Sequence, residues 1–257
     1  MAVTLGFKRW LIRQLPSIYL VGRRFRNRFV MKCDPSLQRD FSWENLRYVE
    51  CDKSSLSVFC MRRLVPIVRT SPFPLDELLL MAASVVFFRP RLIIDWGTHI
   101  GASARVFYET CRWYKVDAEI HSIDLPEDVD HPQHPREIYA LLLRNTSVRL
   151  HRGDGVTVAV GLIKERGDPA PLCMLDGDHS YETVTRELAA ISEIAPMATI
   201  LVHDTFHQEG RNQSGAYSAV KDFVSSCRKI HQIIDSNIGP PGLTLIKLCN
   251  QQLTSWT

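Results

Sequence analysis

The stretch Cys173–Glu182, CMLDGDHSYE, places three acids and an imidazole directly behind an apolar run. Carboxylates and an imidazole this close can hold a cation, accept a proton, or do both. A second apolar run, Thr199–Asp204, ends in His203-Asp204. Asp95, Asp124 and Asp154 stand at or just past the ends of three further apolar runs. The intervals along the series of five aspartates are 29, 30, 22 and 28 residues, close to one strand–helix–strand repeat. Any one of these acids alone would also read as a helix cap or a loop residue. Five arriving at one sheet edge point to a binding crevice, because ligands of open α/β sheets sit beyond the carboxyl ends of the strands.

The elements that would position these acids follow from the pattern. The runs Leu92–Asp95, Ile120–Asp124, Val148–Leu150, Leu172–Asp176 and Thr199–Asp204 alternate with amphipathic stretches at Ser103–Tyr114, Glu137–Arg144 and Tyr181–Ile194. Strands separated by helices predict an α/β fold with a parallel sheet. A helix at Ala216–Arg228 follows, then strands at Gln232–Asp235 and Leu243–Leu248. Gly239-Pro240-Pro241-Gly242 joins these two as a closing antiparallel pair. Upstream, Ser71-Pro72-Phe73-Pro74 introduces a helix at Leu75–Phe88, with Asp76 and Glu77 in its first turn. Residues 1–74 therefore read as a basic arm and connecting segment, and residues 75–257 as the domain that carries the site.

The first strand end, LIIDWGTHIGASARVF at residues 92–107, has the form D-x-G-x-x-x-G. Glycine lets backbone approach a ligand, and the helix start behind it offers free N–H groups. The spacing is not the G-x-G-x-x-G of dinucleotide-binding loops.

This stretch resembles the first motif of class I S-adenosylmethionine-dependent methyltransferases. The resemblance implies a Rossmann-like, seven-stranded, mostly parallel sheet flanked by helices, its last strand antiparallel, with a helical N-terminal extension. It also implies that Asp95, Gly97, Thr98, Gly101 and Ser103 form the loop around the cofactor. Asp124 would hold the ribose hydroxyls, and Asp154 would lie near the adenine unless it is only a turn residue before Gly155. D-G-D-H-S-Y-E followed by strand-His-Asp-Thr is similar to a subgroup that includes macrolide-sugar O-methyltransferases and cephalosporin hydroxylase-like proteins. That likeness makes Asp176 and the pair His203-Asp204 candidate ligands of a divalent cation, magnesium or manganese. It makes His179, with Asp176, the catalytic pair, and His179 the general base that takes a proton from the substrate hydroxyl. His203 departs from the family's oxygen donors, since imidazole suits manganese, iron or zinc better than magnesium. The physical case for a cation stands beside the resemblance: carboxylates ending strands about 4.8 Å apart repel unless a cation or proton sits between them. The competing reading of CMLDGDHSYE is a helix start, with Asp178 or Ser180 as cap and Glu182 favouring the dipole.

Composition narrows the partners. At 257 residues, 45% apolar and 23% charged, the chain is of ordinary globular type, with no apolar run long enough for a spanning helix. Seven cysteines without a C-x-x-C pair indicate neither a disulfide framework nor a zinc site, and a reducing cytoplasm fits them best. Cys111, Cys173 and Cys249 sit in apolar contexts and read as buried. Residues 1–33 carry eight Lys or Arg and no acid against a net charge of +3 for the whole chain. This arm is open to contact with an anionic membrane or partner, or to being an amphipathic helix with a solvated basic face. The rest of the chain is net acidic and lacks an N/D-P-P-Y/F strand end, which counts against nucleic acid as substrate. The expected activity is O-methylation of a small molecule of sugar or natural-product type, in a chain that could form a homo-oligomer. The alternatives are a nicotinamide-dependent oxidoreductase or hydroxylase on a similar sheet, and a non-catalytic binding module anchored by the basic arm.

Overall fold

The computed structural model describes residues 53–126, 129, 139–208, 214–236 and 238–250, all within the unit Cys51–Thr257. The basic arm lies outside the described residues.

Among the described residues a sheet of seven strands forms the centre: β1 Leu92–Trp96, β2 Glu119–Asp124, β3 Arg149–Arg152, β4 Leu172–Leu175, β5 Thr199–His203, β6 Ile230–Ser236 and β7 Leu243–Leu248. Their order is β3-β2-β1-β4-β5-β7-β6. Strands β1 to β5 pair in parallel, and β7 runs antiparallel to both β5 and β6. The chain leaves β1 toward β2 and β3, then returns to add β4 on the other side, so the carboxyl ends of β1 and β4 flank the crevice of an open sheet.

Helices cover both faces. One face carries α1 Lys53–Phe59, the π-turn Cys60–Leu64, α2 Val65–Val68, α3 Leu75–Phe88 and α4 Ala102–Tyr114; the other carries α5 Gly155–Arg166, α6 Tyr181–Ile194 and α7 Gly215–Ser226. Every residue of β1, β4 and β5 is buried, as expected of parallel strands covered on both sides. Alternation along the strands divides them between two cores. Ile93, Met174 and Leu201 pack with Leu78 and Phe107, while Ile94, Cys173 and Ile200 pack with Leu162, Leu188 and Ala219. Residues before α3 belong to the first core as well, through Leu56, Phe59, Leu64 and Phe73.

Several boundaries differ from the sequence reading. Of the helix expected at 137–144, residues 137 and 138 lie outside the described residues, and the rest forms only the short 3-10 turn Leu141–Leu143. Its amides are diverted: Ala140 N–H bonds to His99 O at 2.7 Å and Leu142 N–H to Ile100 O at 2.9 Å, so the i−4 ladder never forms. Strand β3 lies at Arg149–Arg152 rather than Val148–Leu150, because register with β2 decides its ends and this polar edge strand leaves little hydropathy signal. Cys111 and Cys173 are buried, whereas Cys249 is only partly so.

Candidate active site

A cleft of about 1030 Å³ opens at the carboxyl ends of β1 to β5. Gly97, Asp124 and Asp154 line it from the side of β1 to β3, and Asp176, His179, His203 and Asp204 from the side of β4 and β5.

The glycine loop is built to sit against β4. Gly97 has φ +85, and a Cβ there would stand 2.1 Å from the carbonyl oxygen of Asp176. Only glycine can both adopt this backbone and pack so closely. Asp124, 4% exposed, accepts the His99 N–H on Oδ2 at 3.0 Å and the Leu125 N–H on Oδ1 at 2.8 Å. These bonds lock its carboxylate at the cleft wall. Asp95, Thr98, Gly101 and Ser103 are not on that wall. Asp95 is fully buried and accepts the Ser122 hydroxyl at 2.7 Å, and Thr98 joins Ser122 at 2.7 Å. Burial pushes Asp95 up to about 8, against hydrogen bonds from Ser103 and Ser122 that pull it down. These residues form a buttress under the loop.

Asp154 caps α5, accepting the N–H and the hydroxyl of Thr157 at 2.9 and 2.7 Å, and pairs with Arg186. The Thr157 bonds, with Arg186, hold its carboxyl below the usual range. The cap reading and the cleft position coexist. Glu187, one residue beyond Arg186, faces the cleft from α6, and burial pushes its carboxyl up to about 8.

CMLDGDHSYE resolves into two roles. Ser180 caps α6 by accepting from the Thr183 N–H, and Asp178 accepts from the Ser180 N–H and hydroxyl and from the Thr183 hydroxyl. Asp176 and His179 instead turn toward the end of β5. His179 Nδ1 contacts Asp204 Oδ2, and its Nε2 lies 3.5 Å from Asp176 Oδ1. His203 Nδ1 lies 2.7 Å from the same Asp176 oxygen and 3.7 Å from Asp204 Oδ2. Asp204 reaches this position from a left-handed backbone, φ +57, with its carbonyl accepting the Ser214 hydroxyl at 2.6 Å. Such backbone in a non-glycine residue persists where surrounding contacts over-determine it.

Burial disfavours the charged imidazoles, but the facing carboxylates outweigh it. Asp176, Glu77 and Asp204 push His203 up to about 10, and Asp176 and Asp204 push His179 up to about 9. Asp176 moves the other way: burial would raise it, yet His203 and His179 hold it below the ordinary carboxylate range.

The donor set fits a divalent cation. Asp176, His179 and His203 each offer a ligand atom within 4.8 Å of the others, with Asp204 alongside. His203 Nδ1 is shut off from solvent yet makes no aligned hydrogen bond, as expected of a group whose partner is an ion.

Glu77 is a participant that sequence reasoning missed. Read as a first-turn acid of α3, it is in fact fully buried, with Oε2 at 3.2 Å from His203 Nε2. Its spacing carried a signal, since Glu77, Met81 and Ser84 share the buried face of α3.

Residues 94–205 match the family profile described as a methyltransferase domain. No curated protein matches the chain in sequence. Among solved structures, the O-methyltransferase TomG of Streptomyces achromogenes, involved in tomaymycin synthesis and in complex with S-adenosylmethionine, superposes with a TM-score of 0.51 at 15% identity, covering 80% of this chain and 94% of that one. The Podospora anserina methyltransferase PaMTH1, bound to S-adenosylhomocysteine, gives a TM-score of 0.49 at 17% identity, covering 79% and 99%. The Bacillus cereus O-methyltransferase, in complex with S-adenosylhomocysteine, gives 0.49 at 11%, covering 79% and 94%. At these identities the likeness speaks to fold alone. The matched segment runs from within β1 to just past β5 and takes in the loops that carry the cleft, so this part of the chain is similar to a methyltransferase domain.

Proposed function

We propose that the chain transfers the methyl group of S-adenosylmethionine to a hydroxyl oxygen of a small molecule of sugar or natural-product type, with a divalent cation held by Asp176, His203 and Asp204. The observation that carries this reading is the convergence of one solvent-accessible imidazole and two carboxylates at the cleft, opposite the glycine loop and Asp124. The cofactor supplies an electrophilic methyl group on a sulfonium centre, so the protein's task is alignment and removal of one proton. A cation on Asp176, His203 and Asp204 would hold the substrate oxygen and lower the pKa of its hydroxyl.

The remaining roles fall to the chain's own groups. Asp124, already gripped by two backbone amides, accepts hydrogen bonds from vicinal ribose hydroxyls without having to reorganise. Gly97, packed against β4, lines the cleft where the methionine part of the cofactor would lie, and Asp154 stands on the adenine side. Asp95, Thr98, Gly101 and Ser103 act by holding the loop. Asp204 fixes His179 through Nδ1, so the proton from the attacking hydroxyl is accepted at Nε2. With both carboxylates bare, His179 is held up to about 9. A positive charge on Asp176 and Asp204 weakens that pull and frees the base for work near neutrality.

Calorimetric titration with S-adenosylhomocysteine tests the cofactor assignment. The wild type is expected to bind, and Asp124→Ala to weaken binding by roughly 10- to 100-fold. Absence of binding in the wild type overturns the reading. Replacing the base, His179→Gln, is expected to lower turnover by about 100- to 10,000-fold with cofactor affinity unchanged.

A further inference from the structure

Glu77 sits where a carboxylate is expensive. It has no solvent exposure, and burying a charge costs several kcal/mol unless partners replace the lost water. One oxygen is hydrogen-bonded, and the other, which makes no aligned hydrogen bond, stands at ion-pair distance from an imidazole. Oε1 accepts the Gly242 N–H at 2.8 Å, and Oε2 stands 3.2 Å from His203 Nε2. The His203 ring, its side chain 4% exposed, is further fixed by the Phe73 ring, edge-on at a centroid distance of 4.9 Å. The imidazole thus spans from a buried acid to the cleft. Nε2 faces Glu77, and Nδ1 faces Asp176 and Asp204.

A histidine whose one nitrogen is held by a carboxylate presents the other as an oriented donor. Outer partners of this kind set the tautomer and raise the basicity of ligating imidazoles. Magnesium takes oxygen ligands and keeps much of its water, whereas manganese, iron, cobalt and zinc accept mixed nitrogen–oxygen sets. Nothing in the reaction calls for a buried glutamate behind this histidine. It has a purpose if His203 is an inner ligand.

Resting on the methyltransferase reading above, we propose that Glu77 fixes His203 as a nitrogen ligand and so makes this a mixed nitrogen–oxygen centre that selects a transition-metal dication over magnesium. Glu77 is a positioning residue, since it acts through His203 and touches neither substrate nor cofactor.

The test uses the full chain, stripped of metal with a chelator and titrated in a calorimeter with manganese chloride and separately with magnesium chloride. Each titration is run with S-adenosylhomocysteine present, and the affinity for S-adenosylhomocysteine is measured alongside. The wild type is expected to bind manganese at least about tenfold more tightly than magnesium. Glu77→Gln, close in shape but neutral, is expected to weaken manganese binding by roughly 10- to 100-fold, and His203→Asp to erase or invert the preference. Pulsed electron paramagnetic resonance of the manganese-loaded protein is expected to show coupling to histidine nitrogen that diminishes in His203→Asp, a change that loss of stability alone does not produce.

Magnesium binding as tight as manganese in the wild type overturns the proposal, as does unchanged manganese affinity in Glu77→Gln. If Glu77→Gln does not fold, the wild-type metal ratio and the His203→Asp spectrum decide the question. S-adenosylhomocysteine binding without binding of either dication sinks this proposal and leaves the cofactor assignment standing. Selective manganese binding without cofactor binding does the reverse.

Discussion

At the scale of single residues, backbone geometry constrains the site as tightly as side-chain chemistry. Gly97 allows the β1 loop to lie against the Asp176 carbonyl, where any Cβ would be driven into backbone. Gly97→Ala is therefore expected to cost at least about 2 kcal/mol of stability, from left-handed strain and overpacking together. Urea denaturation measures it, and a cost under about 0.5 kcal/mol would show that the loop can move aside. Most of the titratable residues at the cleft were visible in the sequence because acids ending apolar runs are conspicuous. Their partners were not. Asp204 contacts His179 only through a left-handed turn, and Glu77 belongs to a helix whose first turn suggested a solvated acid. Asp95 shows the opposite limit: the motif that revealed it is silent on whether its carboxyl faces ligand or buttress, and the bond to Ser122, 27 residues away, decides that.

At the scale of elements, strand ends and helix starts set how far each group reaches. Alternation and length made β1, β4, β5 and their helices readable, because a doubly covered strand is apolar throughout. The segment 139–144 was not readable as a turn, since its amides bond to the glycine loop and the partner for a backbone group leaves no mark in composition. The junction of α6 and α7 is equally hidden. A Cβ on Gly215 would lie 2.6 Å from both the His179 carbonyl oxygen and the Tyr181 nitrogen. Gly215→Ala is expected to push α7 off the turn that carries His179, costing roughly 1–3 kcal/mol. Its effect on turnover is expected to exceed its effect on cofactor binding, which steady-state kinetics beside calorimetry will separate.

At the scale of the molecule, the sheet order and the two cores follow from βαβ repetition, and a parallel sheet with its crevice at the strand ends was legible from the alternation of runs together with the spacing of the acids. Stability carries the mark of the site. The carboxyls of Asp95 and Glu187 are both raised to about 8, so the folded state favours their protonated forms. Their contribution is complete below the ordinary carboxylate range and declines as pH rises through about 8. His179 and His203, raised to about 9 and 10, act in the same sense, with stability complete below the ordinary imidazole range and lost as pH rises through those values. The metal-free protein is therefore expected to need more urea for unfolding at pH 6 than at pH 8.5, a difference reduced in Asp95→Asn. A midpoint that rises over this interval contradicts the assignment.

The bond from Glu77 to the Gly242 N–H joins groups 165 residues apart. Gly242 precedes β7, the last strand to enter the sheet and the neighbour of β5. During synthesis the helix carrying Glu77 emerges early, while the group that satisfies its second oxygen arrives near the end of the chain. A nascent protein lacking this hairpin has an unsatisfied acid behind His203 and an incomplete β5 border. The β6–β7 hairpin thus acts as a seal behind His203, and the buried acid gains its backbone partner only once β7 is in place.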